Sequence, residues 1–295
     1  MKNIKTVIAL LLATVMCFAL LAGCASKEAS PETNTPEGEA NDNQTDDSVV
    51  DDLAYIKDKG KMVIGYTLYQ PMNYNDDNGE FTGFDTEFAI AVCKKLGIEP
   101  EFVNINWETK EVELNAKSID CIWNGLTIDE DRKTNMSITV PYVKNAQVIV
   151  VKADSDVSST ADLVGKTVVA EIGSAGEILI KGKGEVKPEE NLAKANYIGM
   201  NKQTDCLLEL KSGTADAAVL DWTLAKTATG KGTNYADLKI VEDVELNSEE
   251  YGVAFRKGSN LTEAVNKIIE ELVEDGTLPA LAEKYGLSLA PSIAQ

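Results

Sequence analysis

The sequence predicts an α/β protein with two similarly built lobes. Short apolar runs such as Lys61 to Tyr66, Pro100 to Ile105 and Lys166 to Glu171 alternate with segments of helical period. The segments Ala116 to Trp123 and Lys211 to Ala218 both read helix, turn, aspartate, buried strand, a faint internal repeat. About 240 residues follow the amino-terminal segments, enough for one large domain or two small lobes.

Lys2 and Lys5 precede the uncharged run Val7 to Leu21. A basic start, a short apolar middle and a small-residue exit predict a secretory signal over residues 1–23. The run is short for a helix that spans a bilayer, and no later apolar run is long enough to do so. Its exit, Leu21-Ala22-Gly23-Cys24, resembles the bacterial lipobox. That resemblance implies a lipid such as palmitate on Cys24, which would hold the mature chain outside the cytoplasm on the cell membrane. The other reading is ordinary signal cleavage beside an incidental cysteine. Residues 24–52 hold Ser, Thr, Pro, Gly, Asn and many acids, and almost no large apolar side chains. Such a segment buries too little surface to offset its conformational entropy, so it is expected to be a disordered acidic linker.

The chain carries a formal charge of −20, and removing the two signal lysines makes this −22. That argues against nucleic acid or an anionic polymer as ligand, but not against a small amino acid in a local site. There is no histidine, which excludes histidine triads, zinc–histidine sites and histidine general bases. Beyond Cys17 in the signal and Cys24, the chain has Cys93, Cys121 and Cys206. They are not closely spaced and are expected to be buried free thiols. No metal site or cofactor is expected.

Taken in order, Leu53 to Lys59 is expected to be a short helix stopped by Gly60, and Lys61 to Tyr66 a strand. Asp76-Asp77-Asn78-Gly79 reads as a hairpin turn. Asp85 is a suitable cap for a helix carrying Phe84, Phe88, Ala91, Val92 and Leu96 and ended by Gly97. Pro100 to Ile105 is the next strand, followed by Trp107 in a loop and a short helix around Val112 to Lys117. In the second half, a strand ending at Glu171 leads through a small-residue loop, Gly173 to Gly176, into a helix. Backbone N–H groups at such a helix start favour anions. Thr204 to Leu210 is expected to be a helix, and Ala215 to Asp221 a strand ending in an acid. Leu238 to Val241 and Tyr251 to Phe255 are strands, and Leu261 to Val273 and Leu278 to Tyr285 are helices.

The stretch from Cys121 to Arg132 holds the most chemistry. An apolar run passes into Asn124-Gly125, then Thr127 and, five residues on, Arg132. Loops at the carboxyl ends of strands are where open α/β sheets bind ligands. A hydroxyl and a guanidinium there suit a small carboxylate. On its own the stretch reads equally as a plain helix start with a surface arginine.

The wider order of motifs resembles the extracellular solute-binding proteins of polar amino-acid ABC transporters. Ile64-Gly65, Tyr69-x-Pro71, Gly83-Phe84-Asp85, Lys95-Leu96-Gly97, Trp107, Ile119-Asp120, Gly125-Leu126-Thr127 and Arg132 carry it through the first half. Pro141-Tyr142, Asp162 to Lys166, Gly173-Ser174, Gly213 to Ala217, Asp221, Tyr251 to Phe255 and Lys257-Gly258-Ser259 continue it, so that it covers 60–286. The resemblance implies a type II periplasmic-binding-protein fold: two Rossmann-like lobes joined by a two-stranded hinge, with the ligand in the cleft. Lobe 1 would be 53–144 plus 249–295 and lobe 2 would be 145–248.

The resemblance also implies site roles. Arg132 would take an α-carboxylate, helped by the Thr127 hydroxyl and N–H groups at Ser174 and Ala175. The Gly125 carbonyl, Thr127 and Asp221 would take the α-ammonium, although Asp221 also reads as a helix cap. Tyr66, Tyr69 and Trp107 would wall the side-chain pocket, unless they are ordinary core. Glu171 stands where relatives often have an amide or lysine. Facing the ligand, it would pair with a cationic side chain; facing away, it is a solvated carboxylate. Asn124 and Asp129 also depart from commoner choices. Lysine, arginine or ornithine therefore compete with glutamine, cystine or another polar amino acid. The implied role is capture without catalysis by a monomer that delivers its ligand to the transmembrane subunits of a permease. An enzyme on the same fold, such as a cyclohexadienyl-type dehydratase using Glu171 as an acid, and a lipid-anchored sensor are the other readings.

Overall fold

The computed structural model describes residues 50–294. The signal and Cys24 lie outside the described residues, as does the linker up to residue 49. Helix α1 (Asp52–Lys59) leads into β1 (Lys61–Tyr66), and the hairpin β2 (Tyr74–Asn75) and β3 (Phe81–Thr82) precedes α2 (Phe84–Leu96). Next come β4 (Glu99–Asn104), α3 (Lys110–Asn115), β5 (Cys121–Thr127), α4 (Glu130–Asn135) and β6 (Met136–Ile138). The long strand β7 (Val143–Lys152) opens a second set: β8 (Thr167–Glu171), α5 (Ala175–Lys181), β9 (Asn196–Met200), α6 (Gln203–Ser212), β10 (Ala217–Asp221) and α7 (Trp222–Ala228). Strand β11 (Leu238–Arg256) returns, and α8 (Leu261–Glu274) and α9 (Thr277–Tyr285) close the chain.

The main sheet runs β4-β1-β5-β11-β7-β10-β8-β9. The β4-β1-β5 and β10-β8-β9 sets are each parallel, and β7 and β11 lie antiparallel between them. Tyr251 stands opposite Val143 at one end of that pair and Leu238 opposite Lys152 at the other. Strand β5 pairs with the Tyr251–Phe255 end of β11, and β10 with the Gln147–Val150 part of β7. The strands expected separately at 238–241 and 251–255 are thus the two ends of one strand. Register shifts between Ile240 and Asn247 bend it while it stays paired with β7.

The faint repeat in the sequence has a structural counterpart. Asp120, before β5, accepts the Val63 N–H at 2.7 Å, and its own N–H returns to the Val63 carbonyl at 2.7 Å. Asp216, before β10, does the same with Thr167, at 2.8 and 2.9 Å. In each half an aspartate latches two neighbouring parallel strands at their starts, which sets the register with which they reach the opposite, carboxyl end.

Helix α8 buries Leu261, Val265, Ile268, Ile269 and Leu272, one stripe at helical spacing. Burying each such side chain stabilises the fold by roughly 1.5–3 kcal/mol. The described residues begin slightly before the expected boundary at residue 53. Val50 donates to the Gly258 carbonyl at 2.9 Å, and buried Asp52 pairs with Arg256 at 2.9 Å. Arg256 also donates to the Leu114 and Ile119 carbonyls at 3.2 and 2.9 Å. A carboxylate here meets a buried guanidinium that needs it, which overrides the polar composition around it. Cys93, Cys121 and Cys206 are buried free thiols.

Asp85 is not the cap of α2. Gly83 holds that position with φ 133°, because a Cβ there would lie 2.1 Å from the Met72 carbonyl oxygen. Asp85 instead sits inside the first turn, fully buried, and its Oδ2 accepts the Gly125 N–H at 2.7 Å. Burial raises its pKa to about 7. A carboxyl that holds its proton more tightly when folded makes the fold lose stability as pH rises from the ordinary carboxylate range towards 7. Asp85→Asn keeps an acceptor for Gly125 and removes this titration. Thermal unfolding followed between pH 5 and 8 should show a flatter profile for the variant, with a melting point several degrees above wild type at the alkaline end.

Candidate functional site

Residues at the carboxyl ends of strands from both parallel sets line one small, partly open cavity of about 10 Å³. From the β4-β1-β5 side come Tyr69, Trp107, Asn124, Gly125, Thr127 and Arg132; from the β10-β8-β9 side come Glu171, Ser174, Ala175, Gln203 and Asp221. A larger concavity outside the β7–β11 pair, bordered by Lys144, Trp222, Ile240 and Ser288, lacks this convergence of buried charge.

Arg132 is in the first turns of α4 and only 2% exposed. Its NH1 donates to the Thr127 carbonyl at 2.6 Å and its NH2 to the Gly173 carbonyl at 3.2 Å. Asp129 caps α4 through the Arg132 N–H and lies 3.3 Å from the guanidinium Nε. The guanidinium has five N–H donors, so each terminal nitrogen keeps one more to offer.

Asp221 ends β10 and stands at the start of α7 without capping it through its side chain. Its Oδ1 accepts from Asn145 Nδ2 at 2.7 Å and Gln147 Nε2 at 2.6 Å, and its Oδ2 accepts from Gln203 Nε2. Glu249 sits beside it. Its Oε1 accepts from Thr127 Oγ1 at 2.9 Å, Asn145 Nδ2 at 2.6 Å and Gln147 Nε2 at 2.9 Å. Burial and the neighbouring Asp221 raise the Glu249 pKa to about 8. Glu171, the last residue of β8, is 4% exposed. Burial, then the Asp221 charge, raises it to about 8, and no protein donor among the described residues reaches its carboxylate.

Gly125 holds the cavity open for its neighbours. It has φ 56°, and a Cβ would lie 2.7 Å from Tyr69 Cε1 and 3.0 Å from Tyr251 Cε2. Asn124 Oδ1 accepts the Thr67 N–H at 3.1 Å and its Nδ2 donates to Thr67 Oγ1 at 2.7 Å, which ties β5 to the end of β1. Tyr69 reaches across to Thr223 Oγ1 and to the Tyr251 hydroxyl at 2.6 Å. Lys110 Nζ lies 4.6 Å from the centre of the Trp107 ring and donates to the Trp107 and Gly173 carbonyls at 3.0 and 3.1 Å. Burial and the Arg132 charge lower its pKa to about 7.

Ten of the eleven expected site residues therefore line the cavity, and Tyr66 does not. Its ring packs on Phe81 at 4.7 Å and Phe102 at 6.2 Å instead. Alternation along β1 sends its side chain away from the end where Tyr69 turns in. The Ser174 N–H goes to the Glu171 carbonyl at 3.2 Å, and the Ser174 hydroxyl caps α5 through the Glu177 N–H. The Thr127 hydroxyl spends its one proton on Glu249, so towards the cavity it can only accept. Gln203, Lys110, Asn145, Gln147 and Glu249 were missed. Period-two alternation from buried Tyr251 was the available signal for Glu249.

The profile of the bacterial extracellular solute-binding proteins, family 3, matches residues 62–288. The chain belongs to that family. Among family 3 relatives, the L-cystine-binding protein TcyJ of Escherichia coli (strain K12) is 32% identical over 237 residues, covering 79% of this chain and 85% of that protein. The arginine-binding extracellular protein ArtP of Bacillus subtilis (strain 168) is 32% identical over 230 residues, covering 77% and 86%. A crystal structure of a mutant of ArgBP from T. maritima superposes with a TM-score of 0.71 at 36% identity, covering 79% of this chain and 98% of that one. The family 3 fold is thus a two-lobed, type II periplasmic-binding-protein fold. In this chain its two parallel strand sets meet at the cavity.

Gly125→Ala should forfeit ligand binding while leaving the chain folded. The added methyl meets Tyr69 and Tyr251, and the left-handed backbone disfavours any side chain. Circular dichroism should stay near wild type, while calorimetric affinity for whatever ligand the wild type binds should fall at least tenfold.

Proposed function

We propose that this chain is a lipid-anchored, extracytoplasmic substrate-binding protein that captures a cationic L-amino acid and delivers it to an ABC permease. The observation that carries the reading is the charge arrangement of the cavity. Arg132 with free N–H groups stands on one side, Asp221 on the other, and the unpaired Glu171 carboxylate at a third point. An α-amino acid is a zwitterion, and burying each of its ions requires an opposite partner. Arg132 would take the carboxylate, and Asp221 with the Gly125 carbonyl the ammonium. Thr127 joins the ammonium side, since its hydroxyl is an acceptor there. Glu171 would take a positively charged side chain, with Tyr69 and Trp107 as its apolar and cation–π walls.

Cleft closure follows from the same arrangement. The two halves supply opposite charges, so one zwitterion bridges them and favours the closed form. We place the hinge in β7 and β11 near 143–148 and 245–250, with 53–144 plus 249–295 on one side and 145–248 on the other. Binding without turnover is supported by the relatives, which are named as binding proteins. The anchor rests on the Leu21-Ala22-Gly23-Cys24 motif.

Titration calorimetry with a panel of amino acids tests the reading: lysine, arginine or ornithine should bind at submicromolar concentration. Failure of every amino acid to bind would sink it. In Arg132→Ala, affinity should drop by two or more orders of magnitude, as when a buried ion loses its partner at a cost of about 3–5 kcal/mol. Glu171→Gln should weaken a cationic ligand at least tenfold and a neutral one little; equal effects would remove Glu171 from the side-chain pocket.

A further inference from the structure

We propose that Glu249, beside Asp221, holds a proton when no ligand is bound, and that the arrival of the ligand's ammonium at Asp221 releases it. Glu249 is then a positioning residue that acts through Asp221. The inference rests on the amino-acid reading above, because it concerns the site assigned there to the α-ammonium.

Geometry carries it. Asn145 Nδ2 lies 2.7 Å from Asp221 Oδ1 and 2.6 Å from Glu249 Oε1, and Gln147 Nε2 lies 2.6 and 2.9 Å from the same two oxygens. Two amide groups on one strand thus clamp two carboxyl groups side by side. Both carboxyls are buried, at 6% and 7% exposure. Their surroundings hold little positive charge. From β5 the facing group is the neutral Thr127 hydroxyl, and from α6 it is Gln203. Tyr69 and Tyr251 bring phenols whose pKa values burial drives upward, so they stay neutral. Glu171, across the cavity on β8, adds a third acid. The nearby cations are turned elsewhere: Arg132 to the Thr127 and Gly173 carbonyls, Lys110 to those of Trp107 and Gly173.

Two adjacent buried carboxylates without a cation cannot both ionise cheaply, so one keeps a proton. Glu249 fits that role. Its Oε2 has no hydrogen-bond partner to oppose a proton there, and burial beside the Asp221 charge raises its pKa to about 8. An ammonium arriving at Asp221 supplies the missing positive charge. The proton then leaves to solvent, and each ligand bound releases about one proton. Affinity should therefore weaken as pH falls below about 8, approaching tenfold per unit at saturation of the proton.

The test is calorimetry with L-arginine or, where arginine gives no heat, L-cystine, in phosphate and in Tris at the same pH. The difference in binding enthalpy between buffers counts protons. Wild type should release about one proton more than Glu249→Gln near pH 7, any further release with L-arginine coming from Glu171, whose pKa burial also raises to about 8, and almost none above pH 9, where Glu249 is already ionised. Glu249→Gln should bind with about one proton fewer released than wild type and a flatter pH profile. In Glu171→Gln release should persist, which separates the pair from the third acid. A change in affinity without a change in proton count would mark Glu249 as merely structural and overturn the proposal. So would wild-type binding with no proton release, or a release unchanged from pH 6 to 9, results that need no variant to fold. Absence of binding by every amino acid overturns the functional reading with it, whereas binding without release overturns only the proton exchange.

Discussion

Everything at this site depends on the clamping of charge by strands common to both halves. Asn145 and Gln147 on β7 and Glu249 on β11 belong to the pair of strands that runs between the two parallel sets. They touch Thr127 on one side and Asp221 on the other. Buried carboxylates are costly unless donors converge on them. Here the donors come from the connecting strands themselves, so the local geometry of the connection and the electrostatics of the cavity are one system.

The two halves reach that connection by the same local device. An aspartate at the start of a buried strand latches the strand beside it, Asp120 to Val63 and Asp216 to Thr167. With register fixed at the starts, the carboxyl ends present Thr127 and Asp221 to one another. In the proposed reading, recognition of the backbone atoms common to amino acids and discrimination among side chains would occupy different parts of the cavity. The first would fall to Arg132, Thr127 and Asp221, the second to Glu171, Tyr69 and Trp107.

Much of this was legible in the sequence where the signal was local. The run from Cys121 to Arg132 reads as a strand ending at an Asn-Gly turn before a helix start; strand and helix form, but the strand continues through Gly125, at positive φ, to Thr127 before α4 begins. Residues whose role comes from distant partners carried at most a weak local signal. Glu249 lies in Asn247-Ser248-Glu249-Glu250, which by composition is a solvated stretch; it is buried only because β5, β7 and β10 bring Thr127, Asn145 and Asp221 to it. Asp85 followed the rule for helix caps and lost to a steric demand, since only glycine fits beside the Met72 carbonyl. Tyr66 stands near the right loop, but strand alternation turns it away.

The chain path has a consequence for how the protein is made. The strands β8, β9 and β10 come from one continuous stretch, and the Thr167–Asp216 latch spans 49 residues. The other set needs both ends of the chain: the bonds from Arg256 to Asp52 span 204 residues. Closing a longer loop costs more entropy and delays its contacts. The half synthesised first is therefore the last to be completed. Until the final strand emerges, the segment carrying Arg132 lacks the β11 neighbour of its central strand.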